Sequence, residues 1–209
     1  MTPSGTRALL VAALLALIVV APPAAGAVRV IVVLGDSLAA GFGLTPDEAF
    51  PAVLEQKLRR EGYSYRVVNA GVSGDTTAAG LRRVDWVLRS QPAVAIVALG
   101  ANDGLRGQSV TTMRDNLLEI VRRLRATGAS VLLAGMRVPS NYGPEYTRAF
   151  AAVFPAVARA TGVPLAPFLL DGVAGDARLN QPDGIHPTAE GQRLIADRLW
   201  PYLEPLLRR

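Results

Sequence analysis

The chain has 209 residues, of which 50% are hydrophobic, 19% charged and 6% aromatic, which suits one domain with a substantial core and excludes a disordered chain; its 15 prolines follow no period, which excludes a coiled coil or collagen-like rod. With no cysteine and one histidine, disulfides, thiol catalysis, thiolate metal sites and His clusters are excluded, so metal catalysis is not expected. The formal charge of +5 comes almost wholly from arginines spread singly or in pairs, Lys57 being the only lysine; that spread argues against a nucleic-acid groove and suits solvated helix faces, with transient contact to phospholipid headgroups as the other use of a basic surface.

Residues 1–27 read as an export signal. Arg7 is followed by an apolar run over 9–21, then Pro22 and Pro23, then the small residues Ala25, Gly26 and Ala27. The run is shorter than the roughly 20 residues needed to span hydrocarbon, and Ala25 and Ala27 supply the small-x-small pattern of a cleavage site. Cleavage after Ala27 is expected, leaving a single domain over 28–209 in a periplasm or outside the cell. An uncleaved anchor is the alternative, because Arg7 is the only charge ahead of the run.

Beyond Ala27, short β-branched runs alternate with longer segments of helical period. This is the pattern of a three-layer α/β/α domain with a five-stranded parallel sheet, in flavodoxin-like order if the loops described below are to share one cleft. Strands are predicted over 28–34, 67–69, 94–99, 131–136 and 163–166, and their continuous apolarity implies burial on both faces.

The first strand runs into Gly35, Asp36, Ser37 and Leu38. A hydroxyl after a turn-permitting glycine, at the carboxyl end of a strand, suits a nucleophile, although serine there also caps helices. Phe50, Val53, Leu54 and Leu58 mark a helical stripe closed by Gly62. The second strand is followed by Gly74, Asp75 and Thr76. Gly74 frees a backbone N–H for an anion or developing oxyanion, while Asp75 or Thr76 suits the cap of a helix predicted over 77–88. The third strand ends in Gly100, Ala101, Asn102 and Asp103, where the Asn102 amide is either a further donor or a turn former.

Met113, Leu117, Ile120, Val121 and Leu124 mark the next helix, closed by Gly128. After the fourth strand, residues 138–143 have turn chemistry and no period, so they read as an irregular loop. A helix over 145–160 ends at Gly162. Asp183, Gly184, Ile185, His186 and Pro187 then precede a last amphipathic helix carrying Leu194, Ile195, Leu199 and Tyr202. His186 is the only imidazole available as base for a serine, and Asp183 is the natural carboxylate to hold its tautomer. The hydrolase elbow GxSxG fails at Ala39, and no glycine loop ends in Lys followed by Ser or Thr, as a nucleotide triphosphatase requires.

Taken together, the four blocks resemble the GDSL (SGNH) hydrolase family: Gly35 to Leu38, then Gly74, then Gly100 to Asp103, then Asp183 to His186. The resemblance implies a catalytic set of Ser37, Asp183 and His186, with an oxyanion hole built from Ser37, Gly74 and Asn102. Within the family, the run Arg137, Val138, Pro139, Ser140, Asn141, Tyr142, Gly143, together with Asn102 to Arg106, resembles the periplasmic thioesterase/lysophospholipase/arylesterase branch. That implies ester or thioester substrates, no cofactor, and an acyl chain beside Asn141 and Tyr142. A carbohydrate O-acetyl esterase with the same triad is the alternative, followed by a catalytically dead binding module.

Overall fold

The computed structural model describes residues 28–208, and the predicted signal over 1–27 lies outside them. Five parallel strands form one sheet in the order β2-β1-β3-β4-β5: β1 (Arg29–Gly35), β2 (Tyr65–Gly71), β3 (Val94–Ala98), β4 (Ser130–Ala134) and β5 (Leu165–Ala166). Interior β1 pairs on both sides, with Leu34 opposite both Ala70 and Val97. Ile31 to Leu34 and the whole of β3 are buried, as expected for β-branched strands covered on two faces.

Two strands depart from that expectation. β2 is an edge strand on which Arg66 and Asn69 are exposed. Among the described residues one side of it has no partner strand, and polar residues on an edge discourage pairing with another chain. β5 starts at Leu165 rather than at residue 163, because Pro164 has no N–H to give a ladder; its carbonyl still accepts from Leu133 N at 3.0 Å.

The order reverses direction about β1, so right-handed crossovers send the helix before β2 to one face and the helices that follow β2, β3 and β4 to the other. Accordingly α2 (Phe50–Arg60) packs on α7 (Ala189–Leu203), while α3 (Thr77–Leu88), α5 (Val110–Ala126) and α6 (Pro144–Thr161) pack side by side. Phe50, Leu54 and Leu58 of α2, and Met113, Leu117, Ile120, Val121 and Leu124 of α5, are buried as their spacing predicted. Thr76, Ser109 and Thr188 cap α3, α5 and α7 through side-chain bonds of 3.3 Å.

Two short helices, α1 (Ser37–Ala40) and α4 (Ala101–Leu105), occupy segments read as turns, and a single 3-10 turn over Ser140–Tyr142 sits in the predicted irregular loop. Buried Gln192 of α7 donates to the Leu38 carbonyl at 3.1 Å and accepts from Phe50 N at 2.9 Å. One amide therefore ties α7 to both α1 and α2, and it satisfies a helix start for which Ala49 offers no side-chain cap.

Candidate active site

The carboxyl ends of β1, β2 and β3 open onto the crevice where the strand order reverses. α1 lies hard against this edge because Gly35 has no Cβ: one placed there would stand 2.6 Å from the Ala39 Cβ. Asp36 starts α1 by accepting from Leu38 N at 3.0 Å, which leaves Ser37 as the first helical residue, half-buried at the mouth of the crevice.

Ser37 Oγ lies 2.9 Å from His186 Nε2, and His186 Nδ1 lies 2.6 Å from Asp183 Oδ2. Asp183 Oδ1 accepts further bonds from Ile185 N at 2.9 Å and His186 N at 3.0 Å. Those hydrogen bonds, first from the His186 backbone, then from its ring, then from Ile185, hold the Asp183 carboxyl down at about 2. The imidazole is braced on its face by Phe42, with ring centroids 4.4 Å apart. Gln181 donates through Nε2 to the carbonyls of Phe42 (2.7 Å) and Pro187 (3.0 Å), and through its backbone N to the His186 carbonyl (2.7 Å). The histidine loop is thereby stitched to the segment following α1.

Among the described residues, the backbone N–H groups of Ser37 and Gly74 donate to no protein oxygen. Gly74 has φ +84°, a conformation that favours glycine. The Asn102 amide nitrogen donates to the Asp75 carbonyl at 3.0 Å and makes a longer 3.4 Å contact with Asp36 Oδ2. Asp36 is wholly buried, and that burial raises its carboxyl to about 6.

A cavity of about 530 Å³ opens beside these groups, lined by Ser37, Asn102 and His186 and by apolar residues including Val138, Leu170 and Ile185. Asn141 and Tyr142 stand outside that lining. Asn141 is exposed, and the Tyr142 hydroxyl donates to the Leu105 carbonyl at 2.8 Å. From their loop it is Arg137, Val138 and Pro139 that face the cavity. Asp36, Phe42 and Gln181 were not singled out from the sequence as site residues; of these, only Asp36 carried a signal, its place beside the serine. Among the described residues, no three His or acidic side chains cluster as metal ligands would.

The family model described as GDSL-like Lipase/Acylhydrolase family matches residues 33–194. The chain is 44% identical to Esterase TesA of Pseudomonas aeruginosa over 202 residues, covering 96% of this chain and 100% of that protein. It is 40% identical to Thioesterase 1/protease 1/lysophospholipase L1 of Escherichia coli strain K12 over 184 residues, 88% of this chain and 87% of that one. A crystal structure of TesA aligns with a TM-score of 0.83 at 44% identity, covering 86% of this chain and 100% of the other.

Proposed function

The chain belongs to the GDSL-like lipase/acylhydrolase family, and from that premise we propose that it hydrolyses carboxylic esters and thioesters of aliphatic acids through an acyl-enzyme on Ser37. The observation that carries this reading is the continuous relay from Ser37 Oγ through His186 to Asp183, at 2.9 and 2.6 Å. Ser37 Oγ attacks the acyl carbonyl carbon as His186 Nε2 takes its proton, and Asp183, kept ionised, fixes the tautomer and pairs with the imidazolium. The oxyanion falls to the Ser37 and Gly74 N–H groups and to the Asn102 amide, one of whose protons is held only by the long 3.4 Å contact to Asp36 and so has capacity left for substrate. The imidazolium then protonates the leaving alcohol or thiol. Water enters by the same proton path in reverse and releases the acid.

Apolar walls and a volume of about 530 Å³ favour an alkyl chain over an acetyl group, which would leave most of the cavity wet. The names of the relatives, an esterase and a thioesterase/lysophospholipase, agree with that choice. A chain-length panel of p-nitrophenyl and acyl-CoA esters tests it: turnover should be higher for medium or long chains than for acetate, and a preference for acetyl would favour the carbohydrate O-acetyl esterase instead. An organophosphorus reagent should label Ser37 covalently, and an unlabelled, inert protein would mark a binding module.

The reading includes export: residues 1–27 act as a cleaved signal, placing the enzyme in the periplasm or outside the cell, where lipid-derived esters are within reach. N-terminal sequencing of the protein from the extracytoplasmic fraction should begin at Val28. Full-length protein retained in the cytoplasm would refute export.

A further inference from the structure

The three donors assigned to the oxyanion come from three separate segments, after β1 (Ser37, in α1), after β2 (Gly74) and after β3 (Asn102, in α4). Such a constellation works only if its members are held within about 0.5 Å of their productive places. One side chain outside the cavity bonds to the frame of all three. Arg83 of α3 donates through Nε to Asp75 Oδ2 at 2.8 Å, and its terminal nitrogen lies 2.6 Å from the same oxygen. That nitrogen also reaches the Ala70 carbonyl at 3.1 Å and the Gly35 carbonyl at 3.4 Å. The Asp75 carbonyl in turn accepts from Asn102.

A single guanidinium thus touches the residue two before Ser37, the residue preceding the last of β2, and the residue after Gly74, and it reaches Asn102 through one further bond. The planar fork of arginine meets several acceptors at once, which a lysine ammonium on a flexible stem does poorly. Stability is a weak reason for the arrangement. The two side chains are mostly buried, at 23% and 13% exposure, and the desolvation of such a pair offsets much of its attraction.

We infer that Arg83 is a positioning residue of the oxyanion site: through Asp75 and the Ala70 and Gly35 carbonyls it fixes the Gly74 N–H and the Asn102 amide relative to Ser37. It touches no reacting atom, and the inference rests on the oxyanion assignment proposed above. Arg106 holds the Gly74 carbonyl from the solvent side at 3.0 Å, so loss of Arg83 loosens the turn without releasing it.

The test is a kinetic cycle on a p-nitrophenyl ester. Asn102→Ala should lower kcat about 10²–10³-fold. Arg83→Ala should lower kcat about 10–100-fold with KM within about threefold, and in the Asn102→Ala background the same change should cost under about fivefold, because the donor it positions is already gone. Arg83→Lys should recover only part of the loss. Should Arg83→Ala fail to fold, Asp75→Asn runs the same cycle with a smaller loss in the same direction. Fully additive losses, a raised KM with intact kcat, or wild-type kcat would overturn the role. Ser37→Ala is the separate control: it keeps the backbone N–H and removes the nucleophile, so wild-type turnover in that variant would remove the acyl-enzyme reading on which the oxyanion assignment rests, whatever Arg83 does.

Discussion

Asp36 and Asp183 approach the Ser37–His186 pair from different loops, one adjacent to the serine in sequence and the other three residues before the histidine. Asp36 is wholly buried and accepts one good bond, from Leu38 N, with the Asn102 amide at 3.4 Å; burial dominates and raises its carboxyl to about 6. The Asp183 side chain is 39% exposed and accepts three bonds, two from backbone N–H groups and one from the imidazole, which hold it at about 2. Water and donors, rather than proximity to the nucleophile, decide how readily each carboxyl gives up its proton. Asp183 touches the imidazole and stays ionised through the acidic range, so it is the one placed to stabilise an imidazolium; the buried one serves as a helix cap and touches the oxyanion amide.

Kinetics can break that contrast most directly. Ser37→Ala and His186→Ala should each cut kcat about 10⁶-fold, the loss expected when a member of a concerted relay is removed. Asp183→Asn should cost about 10⁴-fold by releasing the tautomer. Asp36→Asn should cost only about tenfold, on the scale of a single hydrogen bond. Single-turnover rates on one ester give the ranking. If Asp36→Asn lost more than Asp183→Asn, the two carboxylates would have to exchange roles.

Much of the arrangement was legible because strong local signals coincided with the places where chemistry sits. β-branched runs located the strands, the stripes over α2 and α5 faced the core, and Ser37, Gly74, Asn102, Asp183 and His186 lay in loops after strands or before the last helix. What the residues hid were long-range polar ties. Nothing near Gln192 announces a bond to Leu38 and Phe50 across more than 140 residues. Arg83 reads as one of many solvent-facing arginines until the fold turns it toward Asp75. Burial of Asp36 depends on α1 pressing against β2, which local pattern does not report. The loop after β4 was identified, but which of its residues face the cavity depends on a turn at Ser140–Tyr142 that points Tyr142 toward Leu105.

Stability against pH probes the same pair with smaller effects. A carboxyl raised from 3.8 to about 6 in the fold contributes stability that is fully present below the unfolded value and is lost as pH rises through the folded one. Asn at position 36 has no proton to lose, so the stability of Asp36→Asn relative to wild type should climb between pH 4 and pH 7 and then level off. The climb is bounded by about 3 kcal/mol, the worth of a shift of this size. Its amide NH₂ would face that of Asn102, a penalty present at every pH, so the change with pH is the quantity to read from urea unfolding. Asp183 has the opposite sign: its contribution is present above 3.8 and is lost as pH falls toward 2. Because that side chain is over a third exposed and screened by solvent, Asp183→Asn should differ from wild type only slightly, with any change confined to pH below 4. Parallel curves for Asp36→Asn and wild type from pH 4 to 7 would mean that burial does not raise the Asp36 carboxyl, and the contrast between the two acids would lapse.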